Sequence, residues 1–167
     1  MESENVNRES ETNPDDAIFY FNRGRGYDDD GNFTQAISEY TKAIGIDPKF
    51  AMAYNNRGAD YCEQGDLSQA IFDLNKAIEL EPGHVKAYCN RGVVYNEQGN
   101  FTQAISDFNM AIELDNNYAP AYYSRAATYY EKKEYAKSWA DARKAQKIGL
   151  YVGPEVFEEL KKCIREK

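Results

Sequence analysis

The sequence predicts an all-α solenoid of stacked antiparallel helix pairs with a C-terminal capping helix, and three observations predict it. Tyr20, Tyr54, Tyr88 and Tyr122 stand 34 residues apart, and each opens the same phrase: Tyr20-Phe-Asn-Arg-Gly, Tyr54-Asn-Asn-Arg-Gly, Tyr88-Cys-Asn-Arg-Gly and Tyr122-Tyr-Ser-Arg-Ala. A second aromatic follows seven residues later (Tyr27, Tyr61, Tyr95, Tyr129), and a small residue nine after that (Ala36, Ala70, Ala104, Ser138). A further alanine closes each unit at Ala43, Ala77, Ala111 and Ala145. A fixed period of this length marks a repeat protein whose units bury their apolar faces against their neighbours.

Each unit reads as two helices. In 51–84, Met52, Ala53, Tyr54, Gly58, Ala59, Tyr61 and Cys62 recur at spacings of three and four, which suits one face of a helix. Gln64-Gly65-Asp66 interrupts the pattern, and Gly65 can take the left-handed conformation that ends a helix. Leu67, Ala70, Ile71, Leu74, Ala77 and Ile78 form a second stripe, which Glu81-Pro82 stops while pre-setting the next start. The units 17–50, 85–118 and 119–152 copy this plan: Gly31 and Gly99 repeat the break, and Asp47-Pro48 repeats the stop. Gly24, Gly58, Gly92 and Ala126 fall where the second helix must approach closely, opposite Ala36, Ala70 and Ala104.

The fourth unit departs from the others, as a terminal repeat does. Ala126 replaces Gly, Lys133 the turn Gly, Trp139 an Ile and Ala142 an aromatic. Pro154 then opens a capping helix over 154–166, with Val156, Phe157, Leu160, Cys163 and Ile164 on one face, expected to cover Trp139 and Ile148. The alternative is that this face docks a partner. The plan is therefore a flexible polar segment over 1–13 and a single domain over 14–167.

With Tyr at position 4 of each unit, Gly at 8, Tyr at 11, Ala at 20 and 27, and Pro at 32 of the first two, residues 17–148 resemble the tetratricopeptide repeat family in four consecutive copies. The resemblance implies a right-handed superhelix whose first helices line a concave groove through positions 2, 5, 6, 9, 12 and 13. Carried over, these are Phe21, Asn22 and Arg25, then Met52, Asn55, Asn56 and Ala59, then Lys86, Cys89, Asn90 and Val93, and finally Tyr123, Ser124 and Tyr130. Asp28, Asp29, Glu63, Glu97 and Glu131 would form an acidic edge.

The series Asn22, Asn56, Asn90 is the sharpest functional signal. A carboxamide offers an acceptor and two donors, so it can pair with both the carbonyl and the amide of an extended peptide. In the family, asparagine at this position holds peptide main chain, as in the nucleocytoplasmic glycosyltransferase that modifies serine and threonine. The resemblance therefore implies peptide binding, with Asn56 and Asn90 on the backbone, Asn22 secondary, and Asn55, Lys86 and Tyr123 tuning selectivity. The competing reading is that these asparagines satisfy neighbouring groups or face water. Phe21 at one end and Tyr123 with Tyr130 at the other are aromatics that the fold does not require, and exposed aromatics concentrate binding energy. For these the competing reading is that they contact the N-terminal segment or the capping helix. The carboxylate clamp for chaperone tails is disfavoured: its Lys and Asn positions hold Phe21 and Arg25, and its last Arg position holds Asn90, although Asn56 and Lys86 match.

Arg23, Arg57, Arg91 and Arg125 recur at position 7, and Glu39, Asp73, Asp107 and Asp141 at position 23. A carboxylate present wherever the arginine is present predicts a bidentate ion pair between the two helices rather than an anion site.

Composition excludes several function classes. The charge of -8 and a pI near 4.8 argue against nucleic acid and anionic membranes as partners. A neutral or basic protein segment is expected instead, and a homo-oligomer is the alternative. One histidine and three cysteines without metal-type spacing lead us to expect no metal, cofactor or catalytic site. Asp28-Asp-Asp30 reads as a solvated turn. The first residues show no apolar leader, so a cytoplasmic location is expected.

Overall fold

The computed structural model describes residues 14–166, with the side chains from residue 16 onward. The expected flexible segment 1–13 lies outside the described residues. Eight helices form four antiparallel pairs: α1 (Pro14–Asp29) with α2 (Phe33–Ile46), α3 (Ala51–Glu63) with α4 (Leu67–Leu80), α5 (Val85–Glu97) with α6 (Phe101–Leu114), and α7 (Ala119–Glu131) with α8 (Tyr135–Lys147). The cap, α9 (Pro154–Arg165), packs on α8. Each pair also packs on the next, and α1, α3, α5 and α7 touch in series. The architecture is the right-handed all-α solenoid that the repeat predicts.

Glycine acts at the two places where the unit needs it. Gly31, Gly65 and Gly99 break each pair at φ of 73°, 78° and 73°. Lys133, the fourth-repeat substitute, is held in the same left-handed region at φ 59°. Inside the pairs, a Cβ on Gly24 would lie 2.7 Å from the Tyr40 ring, on Gly58 2.9 Å from Leu74, and on Gly92 2.7 Å from the Phe108 ring. The large residue at position 24 of the first three units thus plugs the space that the glycine leaves. Ala36, Ala43, Ala70, Ala77, Ala104 and Ala111 are fully buried beside these plugs.

The recurring arginine pairs are present. Arg57, Arg91 and Arg125 donate through Nε and Nη2 to both oxygens of Asp73, Asp107 and Asp141 at 2.6–2.8 Å. Arg23 differs, because both of its donors reach one oxygen of Glu39, whose other oxygen accepts from Lys42. At the far end α9 covers the last pair as expected: Phe157 meets Trp139 edge-on at 5.1 Å, and Ile148 and Val156 join the same core.

Candidate functional site

The first helices line a concave face, and part of it forms a groove of about 510 Å³ between α1, α3 and the start of α5. Arg25, Asn56 and Lys86 stand at its walls beside Met52, with Phe21 and Asn55 beneath them. Five of the eight residues singled out from sequence therefore converge here. Asn90 joins through a hydrogen bond, Asn22 is exposed on α1, and Tyr123 lies on α7 at the far end.

Two of these residues do not stand where the sequence placed them. Phe21 is only 8% exposed, held between Tyr40 and Phe50 with ring centroids 5.7 and 4.8 Å away. Asn55 is 3% exposed, and its carboxamide bridges its neighbours: Nδ2 donates to Asn56 Oδ1 at 2.9 Å, and Oδ1 accepts from Asn90 Nδ2 at 3.0 Å. Neither is an exposed contact residue. Cys89 is buried as well. All three occupy position 5, which faces the first helix of the following repeat. Only in the fourth repeat, with no full repeat after it, is position 5 open, and there Tyr123 is 42% exposed.

The ladder is built as a connected network. Asn56 also donates to the Tyr40 hydroxyl at 3.2 Å, so Tyr40, Asn56, Asn55 and Asn90 form one chain across three repeats. Each carboxamide has two N–H groups and two acceptor lone pairs. Asn56 thus keeps one donor and one acceptor site for a ligand, and Asn90 keeps its carbonyl and one donor. The internal bonds fix the rotamers while leaving spare donors and acceptors.

Several buried groups behind the site escaped sequence reasoning. Asp60 is 1% exposed and its Oδ2 has no partner. Burial, and then the facing Asp28 carboxylate, push its pKa up to about 8. Asp28 is accordingly half-buried against Asp60 and is not simply part of a solvated turn, whereas Asp29 and Asp30 are exposed. Position 10 of one repeat meets position 12 of the preceding one; Thr128 makes the same contact with Asn96 at 2.7 Å. Asp60 stands where the other units carry Gly26, Val94 and Thr128, and that difference was the available signal. Burial also raises the Tyr40 hydroxyl pKa and pushes the Cys89 thiol up to about 12. His84, at the groove wall, has its pKa lowered by burial, and its Nε2 is without a partner. Among the described residues no group of three or more His, Cys, Asp or Glu is arranged to hold a metal ion.

Models of the tetratricopeptide repeat match residues 17–50 and 85–118, and a further model of the repeat matches 58–99. The chain belongs to the tetratricopeptide repeat family. No curated protein sequence matches it significantly. Among solved structures it is similar to MamA, with a TM-score of 0.71 and 26% identity over 81% of this chain and 80% of that one. It is also similar to the first tetratricopeptide domain of Spaghetti (RPAP3) bound to an HSP90 peptide, with a TM-score of 0.68 and 25% identity over 72% and 95% of the two chains. The second such domain of human RPAP3, in complex with an HSP70 peptide, gives a TM-score of 0.65 and 27% identity over 70% and 98%. Tetratricopeptide repeats with this architecture are protein-interaction modules. No described helix is long and apolar enough to cross a membrane.

Proposed function

We propose that this tetratricopeptide domain is a cytoplasmic adaptor or scaffold that holds an extended segment of a partner protein along its concave face. The observation that carries the reading is the pre-ordered ladder at the groove: Asn56 and Asn90 are fixed by Tyr40 and Asn55 yet retain spare donors and acceptors. Asn56 and Asn90 would take the ligand's main chain, with Arg25 and Lys86 beside them and Asn22 extending the row. The peptide complexes of the RPAP3 domains support this use of the fold.

A neutral or basic segment suits the exposed carboxylates that Glu63, Glu97 and Glu131 place at position 13 of successive repeats. An acidic chaperone tail suits the groove less well, because the clamp position held by Phe21 is apolar and covered by Phe50. Quantitative pull-down from lysate tests the reading, comparing wild type with Asn56→Ala and with Asn90→Ala at matched thermal stability. Partners lost by both variants, and retained less as salt rises, are expected. Equal retention by all three proteins sinks the groove assignment.

Self-association is the second reading, favoured by exposed apolar side chains at the two ends of the solenoid. Ile18 and Phe19 are 50% and 57% exposed on α1, and Tyr151 is 84% exposed before α9. Light scattering across concentration decides: a constant monomer mass removes this reading.

A further inference from the structure

The concave face continues past Asn90 to a second concavity of about 480 Å³, where the fourth repeat meets α9. Ala126, Ala142 and Leu160 lie at its floor, and Tyr123 and Tyr130 flank it. Its origin is visible in the repeat. The first three units fill this space with Tyr40, Leu74 or Phe108 packed onto a glycine. The fourth carries Ala126 in place of the glycine and Ala142 in place of the plug, so the volume stays open beneath the cap. Ser138 contributes no spare donor there, because its hydroxyl is bonded to the Ala126 carbonyl at 2.8 Å.

The rim carries one sign of charge. Glu131, Glu155 and Glu159 surround the opening, all exposed, and no Lys, Arg or His is among the lining residues. An apolar floor, two tyrosine rings and three carboxylates match one kind of side chain, a long aliphatic stem ending in a cation. The stem packs on alanine and leucine while the head stays among the carboxylates, and the ring faces attract the same cation. An acidic side chain meets three like charges within a Debye length.

We propose that this pocket is a basic-residue subsite, which takes an arginine or lysine side chain of the segment held in the groove. The inference rests on the peptide-groove reading and adds a direction to it. Arg25 and Lys86 mark one end of the concave face and the three glutamates the other, so the bound segment runs with its basic residue toward α9.

The test is a pair of acetylated, amidated pentapeptides, ALRLA and ALQLA, titrated at low salt into the full chain and followed by amide NMR. ALRLA is expected to move the Ala127, Tyr130 and Val156 signals with at least a fivefold lower Kd than ALQLA. Replacing Glu131, Glu155 and Glu159 by Gln closes that gap. Ala126→Gly with Ala142→Phe rebuilds the plug of the first three repeats and abolishes the shifts. Equal affinity for the two peptides, unmoved pocket signals, or unchanged binding to the plugged variant overturns the subsite. Movement confined to Asn56 and Asn90 also overturns it while leaving the groove standing. Pocket shifts that survive Asn56→Ala with Asn90→Ala support the subsite and count against the ladder.

Discussion

Arg91 and Asp107 are joined by two parallel hydrogen bonds of 2.7 and 2.8 Å, and the same guanidinium reaches back to Asn75 of the preceding repeat at 2.6 Å. Arg57 does likewise with Thr41, and Arg125 with Asn109. Each arginine therefore ties its own helix pair together and links it to the pair before. The guanidinium also lies near the face of the repeat's first tyrosine, 5.6 Å from the Tyr88 ring centre. The arginine has become a structural part and is not free to bind a ligand.

Removing it should cost unequally along the solenoid. Arg91→Ala leaves Asp107, 6% exposed, with no cation, and is expected to destabilise by about 2–4 kcal/mol, as breaking a buried pair does. Arg23 is more exposed and Glu39 retains Lys42, so Arg23→Ala should cost less than about 1 kcal/mol. Urea denaturation of both variants measures the difference. Equal losses would contradict the linkage.

Two helical glycines should respond in opposite directions to the same change. In Gly92→Ala the new Cβ meets the Phe108 ring at 2.7 Å, and overpacking of this kind costs about 1–3 kcal/mol. Gly26, also inside a helix, has nothing within 4 Å of such a Cβ, so Gly26→Ala should stabilise by about 0.5–1 kcal/mol through helix propensity. Thermal melts that shift in the same direction for both would refute the close-packing account.

What was legible in the sequence is what repeats. The helix pairs, the arginine–carboxylate partners and the cap were readable because four copies carried the same residues at the same offsets. The exposures of Phe21, Asn55 and Asp60 were not, because they depend on which helix follows or precedes each repeat. Position 5 points at the next unit, so a rule that exposes it on the concave face holds only for Tyr123 in the last one. Asp60 has no counterpart in the other copies, and only packing against α1 shows that its carboxyl is buried.

Lys133 tests the turn chemistry. It holds a left-handed φ of 59° where the other repeats place glycine. Lys133→Gly should stabilise the chain by about 0.5–1 kcal/mol, since a side chain in this region costs roughly 1–2 kcal/mol. The reciprocal Gly65→Lys, at φ 78°, should lose about as much. A loss of stability in Lys133→Gly would show that contacts of the lysine outweigh the backbone strain.

Asp60 gives the solenoid a pH-dependent joint. Its neighbours are Asp28 on α1, Glu63 one turn along α3, and the Tyr40 hydroxyl of α2. Its pKa rises from 3.8 to about 8, chiefly through burial and then through Asp28. Between these values the native chain holds a proton that the unfolded chain has released. This group's stabilising contribution is therefore complete below about pH 4, declines as pH rises and is gone above about 8. Asp60→Asn keeps a donor toward Asp28 without a charge to develop. It should match wild type near pH 4 and exceed it at pH 9 by on the order of 2–4 kcal/mol. Denaturation curves with identical pH slopes in the two proteins would exclude the joint. Because the Tyr40 hydroxyl senses Asp60 and accepts from Asn56, the Asn56 side-chain amide signal should follow the same titration in wild type and stay still in Asp60→Asn. Identical titration in both would detach the ladder from the buried acid.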